Sequence, residues 1–178
     1  MMKKQIFIVR GVSNSGKTHT VRWIAEKLVV RYMGKHRNSI NIAEIKMTVK
    51  VLWGTVETGE LSCIITFEYA SKTVLVGICT AGDTIEIVSK KIGELVGKGC
   101  DIIVCGCKGV EGNHDKVFDD ILNTAKGYVP HSETTCHTKE EPENPVDEEI
   151  AESILDSICD LLDDEFSLPK GTATFIHP

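Results

Sequence analysis

Long apolar runs are missing from this chain of 178 residues. No stretch approaches the roughly 20 residues with which a helix crosses a bilayer, so we do not expect an integral membrane protein. The apolar stretch after Lys3 and Lys4 covers only residues 6–9, which is too short for the core of a signal peptide. The sequence therefore predicts a cytoplasmic protein, and its length is typical of one domain that covers residues 1–178.

The cysteine pattern also lacks the spacing of a disulfide framework. The cysteines number seven, an odd count, and four of them lie in apolar runs, where a thiol behaves as a small buried hydrophobe. Cys136 lies near His131 and His137, but no C-x-x-C pair accompanies them. We therefore expect reduced thiols and no structural metal site.

Basic residues are scarce near the end of the chain. Residues 139–165 carry a net charge of −11, whereas residues 1–138 carry +4. Apolar residues in the same segment repeat at helical spacing, which predicts an acidic helix over about residues 146–165 that packs on the core. Its charges are typical of a solvated helix face, and the alternative is that they shield a basic surface.

Arginine is absent from the second half of the chain, since the last one is Arg37. A basic cluster stands after the predicted first helix, which we expect to end at Gly34; the cluster comprises Arg31, Lys35, His36 and Arg37. We interpret this cluster as a surface patch, with a partner site as the alternative. Nothing in the sequence indicates a nucleic-acid partner.

Hydrophobic periodicity predicts alternating strands and helices. Strand patterns cover residues 5–10, 45–54, 61–69, 73–80, 100–107 and 128–132, and helical patterns begin at residues 17, 85, 114 and 146. The turn between the second and third strand patterns predicts a hairpin, and the next run is expected to continue it as an antiparallel neighbour. We therefore predict a three-layer α/β fold, with a mostly parallel sheet and one antiparallel hairpin.

One motif carries chemistry. Residues 11–18 read Gly-Val-Ser-Asn-Ser-Gly-Lys-Thr and satisfy G-x-x-x-x-G-K-[ST] between a predicted strand and a predicted helix. Backbone N–H groups of such a loop converge on phosphate oxygens, and the helix that follows points its positive end at the same place. Lys17 can reach the β- and γ-phosphates, and the Thr18 hydroxyl can bind Mg²⁺. The candidate nucleotide-binding residues are Gly11, Ser13, Asn14, Ser15, Gly16, Lys17, Thr18 and His19.

With this motif the chain resembles the P-loop NTPase superfamily, over a span from Gln5 to about Ser132. The resemblance implies a nucleoside triphosphate with Mg²⁺ as the ligand, and an acidic residue after an apolar strand that completes the magnesium shell. Asp83 is the first candidate, a few residues beyond the expected position, and the alternative is that it only caps the next helix. Glu111 and Asp115 come next. Asp101 stands at the start of its strand and is expected at the opposite edge of the sheet.

The branch of the superfamily is harder to predict. Cys79-Thr80-Ala81-Gly82 is similar to the D-x-x-G element of small GTPases with Cys in place of Asp, and Cys107-Lys108-Gly109 is similar to [NT]-K-x-D without its Asn and Asp. Because the carboxylate that reads guanine is missing, ATP is favoured. Lys108 is the remaining cation expected near the site, since no arginine is available from a lid.

These residues predict an ATP-binding enzyme that hydrolyses ATP or transfers its γ-phosphoryl group, as an ATPase or a kinase-like phosphotransferase. Lys17, Asp83 and Lys108 are the candidate catalytic residues, and Thr18 and Asp83 are the candidate magnesium ligands. The phosphoryl acceptor or protein partner is not identified by the sequence. The alternative function is a nucleotide-gated interaction module with slow turnover, similar to a GTPase switch.

Overall fold

The protein is an α/β structure with one six-stranded mixed sheet. The computed structural model describes residues 2–11, 16–37, 44–54, 60–80, 85–108, 115–134 and 146–168. In chain order the elements are β1 (Gln5–Gly11), α1 (Lys17–His36), β2 (Lys46–Gly54), β3 (Leu61–Tyr69), β4 (Lys72–Cys79), α2 (Ile85–Gly97), β5 (Ile102–Lys108), α3 (Asp115–Thr124), β6 (Val129–Thr134) and α4 (Glu148–Phe166). None of the helices in these ranges is both long and apolar enough to span a bilayer.

The strands follow the spatial order β2-β3-β4-β5-β1-β6. β1 pairs in parallel with β5 and with β6, and β4 pairs in parallel with β5. β3 is antiparallel to both β2 and β4, so the predicted hairpin and its antiparallel continuation are confirmed. The predicted mostly parallel sheet with an antiparallel part is therefore what the described strands form.

Apolar side chains cover both faces of the sheet at its central strands, which explains the unbroken hydrophobic runs of β1 and β5. One core cluster joins the sheet to α1 and α4, with Ile24, Leu28 and Ile158 fully buried. The second cluster joins the other face to α2 and α3, with Ile92 and Ile121 fully buried. The helices thus form two outer layers around the sheet, as the sequence predicts.

The basic end of α1 lies against the acidic helix α4. Arg31 forms ion pairs with Glu152 and Asp156, each at 2.7 Å, and the Lys35 Nζ lies 2.7 Å from Asp160 Oδ1. The acidic helix therefore covers the basic end of α1, as the alternative interpretation of its charge holds. The paired carboxylates of Glu152, Asp156 and Asp160 are still 41–62% exposed, which agrees with a solvated helix face. The prediction of a surface patch after the first helix is wrong for Arg31, Lys35 and His36, because α1 continues through Gly34 to His36 and these three side chains contact α4. The exposed Gly34 has the helical conformation, and packing of the last turn on α4 overrides its weak helix propensity.

A buried polar group lies at the centre of this interface. His36 and Asp163 are both fully buried, and His36 Nε2 lies 2.6 Å from Asp163 Oδ1. The other Asp163 oxygen lies 2.9 Å from Lys35 Nζ. Burial raises the pKa of the Tyr32 hydroxyl well above its ordinary value, and the Asp163 carboxylate raises it further. We name the contacts of Arg31, Lys35 and His36 with α4 the distal clamp.

Candidate phosphate-binding site

Residues 11–18, which we name the glycine motif, begin where the carboxyl ends of the paired strands β1 and β5 meet, and we refer to this place as the crevice between β1 and β5. These strands are parallel neighbours, and Gly11 at the end of β1 is in register with Lys108 at the end of β5. The chain leaves β1 through α1 on one face of the sheet and leaves β5 through α3 on the other face. Such a topological switch point, outside the carboxyl ends of parallel strands, is where open α/β sheets bind ligands.

Gly16 closes the motif in a conformation that suits glycine. Its φ of 83° and ψ of 0° place it in the left-handed region, and it is the N-cap residue of α1. The first helical hydrogen bond runs from Thr20 N to Gly16 O at 2.8 Å. Gly16 has no side chain with which to cap this end of α1, and the first turn of the helix contains no acidic residue. The turn that carries Lys17, Thr18 and His19 therefore directs backbone donors and a positive dipole end toward the crevice.

Lys17 is a buried lysine with only 4% of its surface exposed. Its stem lies over Gly106 of β5, since a Cβ built at Gly106 would be 4.0 Å from Lys17 Cγ. The same Cβ would be 3.4 Å from the carbonyl oxygen of Thr80, which follows β4. The missing side chain at Gly106 thus leaves space for the lysine between the ends of β1, β5 and β4.

Thr80 fixes the point from which the chain continues toward Asp83. The side chain of Thr80 is fully buried, and its Oγ1 accepts a hydrogen bond of 2.6 Å from Leu61 N. Its own N–H donates to the Leu61 carbonyl at 2.8 Å. The structure therefore brings the end of β4 beside Lys17, although Asp83 itself lies outside the described residues.

Thr18 and His19 occupy the first turn of α1, and both are partly exposed. Lys108 ends β5 beside Gly11, but only its backbone is described. Asp115 begins α3, and only its backbone is described. Glu111 lies outside the described residues. The loop residues Ser13, Asn14 and Ser15 also lie outside them.

Asp101 lies at the opposite edge of the sheet, as predicted, where its carboxylate accepts a hydrogen bond of 2.9 Å from Leu75 N.

Arg10 and Cys107 lie in register on β1 and β5, one residue before Gly11 and Lys108. The Arg10 guanidinium carbon is 4.5 Å from the ring centroid of Phe118 on α3. Burial raises the pKa of the Cys107 thiol from 9.0 to about 11, although the charges of Arg10 and Lys17 act in the opposite direction. The thiol is therefore protonated at neutral pH and is not an activated nucleophile.

Sequence reasoning missed two residues that support the motif. The fully buried Thr20 donates from Oγ1 to the carbonyl oxygen of Gly16 at 3.0 Å. The Thr20 Oγ1 atom also accepts a hydrogen bond of 3.0 Å from the backbone N–H of Asp147, which caps α4. Because 127 positions separate these residues, no local pattern could have revealed the contact.

The donor set at the crevice is of the kind that binds phosphate. It consists of backbone N–H groups at a helix start, a buried ammonium group and a hydroxyl group. Within the described ranges, no three His, Cys, Asp or Glu side chains lie together as a protein-only metal site would require. No family model matches the chain, and no curated protein or solved structure matches it either.

Proposed function

We propose that the chain binds Mg·ATP at the crevice between β1 and β5 and hydrolyses it or transfers its γ-phosphoryl group. The observation that carries the proposal is the placement of Lys17. This lysine follows a left-handed Gly16 at a helix start and lies buried over Gly106 at a topological switch point. A buried lysine beside the backbone amides of a helix start fits a polyphosphate, since both compensate negative charge.

In this proposal the protein acts by positioning and by electrostatic stabilisation. The backbone amides of residues 13–18 bind the β-phosphate, and Lys17 neutralises the β- and γ-phosphates. Because Lys17 is already held against β5, little side-chain freedom remains to be lost when nucleotide binds. Lys108, at the end of β5, is the proposed second cation near the transferred group.

A magnesium ion fits the same residues. Mg²⁺ binds proteins through few oxygen ligands and takes others from the phosphates and from water, so a site with one hydroxyl and one carboxylate is sufficient. Thr18 lies in the first turn of α1, and Asp83 follows the end of β4 that lies beside Lys17. We propose these two side chains as its ligands. When bound, the ion offsets the charge that develops on the phosphate oxygens.

Turnover measurements test the reaction. ATP consumption and ADP release are measured with purified protein and Mg²⁺, first in water alone and then with panels of hydroxyl, carboxylate and nucleoside monophosphate acceptors. Steady hydrolysis without an acceptor supports an ATPase, and acceptor-dependent turnover supports a phosphotransferase. Tight binding with negligible turnover in every mixture would contradict the catalytic part and leave the nucleotide-gated module.

A substitution at Gly106 should disturb the lysine without removing it. Gly106→Val adds branched atoms in the space that the Lys17 stem occupies, and overpacking of this kind costs about 1–3 kcal/mol. Since the proposal requires Lys17 to keep this geometry when ATP binds, we expect the ATP affinity to fall by about 5- to 150-fold. Gly106→Ala is the matched control, because its Cβ finds ordinary contact distances of 3.4 Å and 4.0 Å. Isothermal titration measures the ATP affinity of both folded variants, and equal affinities would contradict the proposal that Lys17 binds ATP from its position over Gly106.

The role of Asp83 is tested by Asp83→Asn. Asn keeps the shape and the helix-capping ability of Asp but removes its charge. If Asp83 holds Mg²⁺, directly or through water, the apparent affinity for Mg²⁺ with ATP should fall by about 10- to 100-fold. Binding of ATP in EDTA should change much less. A wild-type response to Mg²⁺ in Asp83→Asn would transfer the role to Glu111 or Asp115.

A further inference from the structure

The start of α4 is attached to the glycine motif through one hydroxyl group. Thr20 Oγ1 donates to the Gly16 carbonyl and accepts from Asp147 N, both at 3.0 Å. The Gly16 carbonyl also accepts the Thr20 N–H at 2.8 Å. A threonine that bonds the carbonyl four residues back is common in helices. Here the Thr20 hydroxyl oxygen also accepts a hydrogen bond from the backbone N–H of Asp147, the N-cap of a second helix.

The two hydrogen bonds of Thr20 Oγ1, which we name the bridge, lie next to the proposed nucleotide site. Gly16 is the last glycine of the motif, and its peptide group connects directly to Lys17. Asp147 is the N-cap of α4, and its carboxylate accepts a hydrogen bond from Ile150 N at 3.2 Å. Thr20 is fully buried, so neither of its hydrogen bonds has water as a ready substitute. The geometry of Gly16 and the docking of the first turn of α4 therefore depend on the same group.

We propose that Thr20 is a positioning residue that couples nucleotide binding at Gly16 and Lys17 to the docking of the start of α4. The inference rests on the proposed function, and it assigns to the acidic helix a role in that site. Coupling between two sites is reciprocal. Bound nucleotide stabilises the first turn of α4, and a docked α4 holds the Gly16 peptide in the binding geometry.

The first test compares Thr20→Val with Thr20→Ser. Valine keeps the approximate shape and removes the hydroxyl, whereas serine restores it. We expect the dissociation constant of Mg·ADP to rise at least tenfold in Thr20→Val, which corresponds to about 1.4 kcal/mol, and to return close to the wild-type value in Thr20→Ser. A purely structural threonine would lower the melting temperature without changing the affinity of the folded protein.

A second pair of variants changes Asp147, the α4 residue of the bridge. This pair replaces the first test if Thr20→Val does not fold. Asp147→Ala and Asp147→Pro both lose the capping carboxylate, but only proline also loses the N–H that donates to Thr20. The backbone φ of −84° at Asp147 is close to the value that proline requires. We expect Asp147→Pro to weaken Mg·ADP binding several-fold more than Asp147→Ala does. Asp160→Ala loosens only the distal clamp and is the control at the other end of α4.

Hydrogen exchange provides a readout of the coupling itself. Mg·ADP should slow amide exchange in the peptide that covers residues 147–155 of the wild type, and this protection should be lost in Thr20→Val. If the wild type binds Mg·ADP but Thr20→Val binds it equally well, only the inference about Thr20 is overturned. If the wild type binds neither Mg·ADP nor Mg·ATP, the proposed function fails and this inference fails with it.

Discussion

Lys17→Met should weaken ATP binding by about 10- to 150-fold, because hydrogen bonds to charged groups contribute about 1.5–3 kcal/mol. Methionine retains an unbranched apolar stem in the space over Gly106 but removes the ammonium group. The side chain is buried in the wild type, so the loss should be larger than for a solvated lysine. Isothermal titration with Mg·ATP measures the affinity, and a coupled assay measures turnover under saturating nucleotide.

Lys27→Met provides the matched control for this substitution. Lys27 is on the same helix but is exposed, and its ammonium group lies 5.9 Å from the ring centroid of Trp23. Both variants remove one positive charge from α1, so a general effect of net charge should be equal in the two. Similar affinities and turnover rates in Lys17→Met and Lys27→Met would mean that the motif does not bind phosphate.

Asp163→Ala should destabilise the protein by about 3 kcal/mol, since removal of one member of a buried ionic group leaves its partners uncompensated. Asp163 is fully buried between His36 and Lys35, at 2.6 Å and 2.9 Å. Denaturation in urea measures the free energy of unfolding in the absence of nucleotide. The midpoint should shift to a lower urea concentration with little change in slope.

Asp160→Ala is the comparison for this variant, because Asp160 contacts the same Lys35 at 2.7 Å from an exposed position. Exposed ion pairs contribute roughly 0–1 kcal/mol, so its effect should be at most a third of the effect of Asp163→Ala. If the two variants lose the same free energy, the burial of Asp163 is not what makes the distal clamp strong.

Local patterns in the sequence predict most of the elements. Three local signals predict β1, the glycine motif and α1: a short apolar run, the spacing of Gly11, Gly16 and Lys17, and helical periodicity from Lys17 onward. The hairpin of β2 and β3 follows from two β-rich runs around a turn. These signals are carried by residues close together in the chain, so they can be read without tertiary structure.

Non-local contacts could not be predicted in the same way. Nothing in the sequence indicates that β5 lies between β1 and β4, which is what makes Gly106 the neighbour of both Lys17 and Thr80. The predicted end of α1 at Gly34 is also wrong, because packing of His36 against Asp163 outweighs the local preference of glycine. The bridge from Thr20 to Asp147 depends on the same docking of α4 on α1.

The most direct test of the central claim is the melting temperature with and without Mg·ATP. A ligand that binds only the folded protein, at about a hundred times its dissociation constant, adds about 2.7 kcal/mol of stability. For a domain of this size that corresponds to a rise of about 5–11 °C. We predict this rise for the wild type with Mg·ATP and a much smaller one for Lys17→Met at the same concentration. If no nucleoside triphosphate or diphosphate shifts the wild-type melting temperature, the crevice between β1 and β5 is not a nucleotide site.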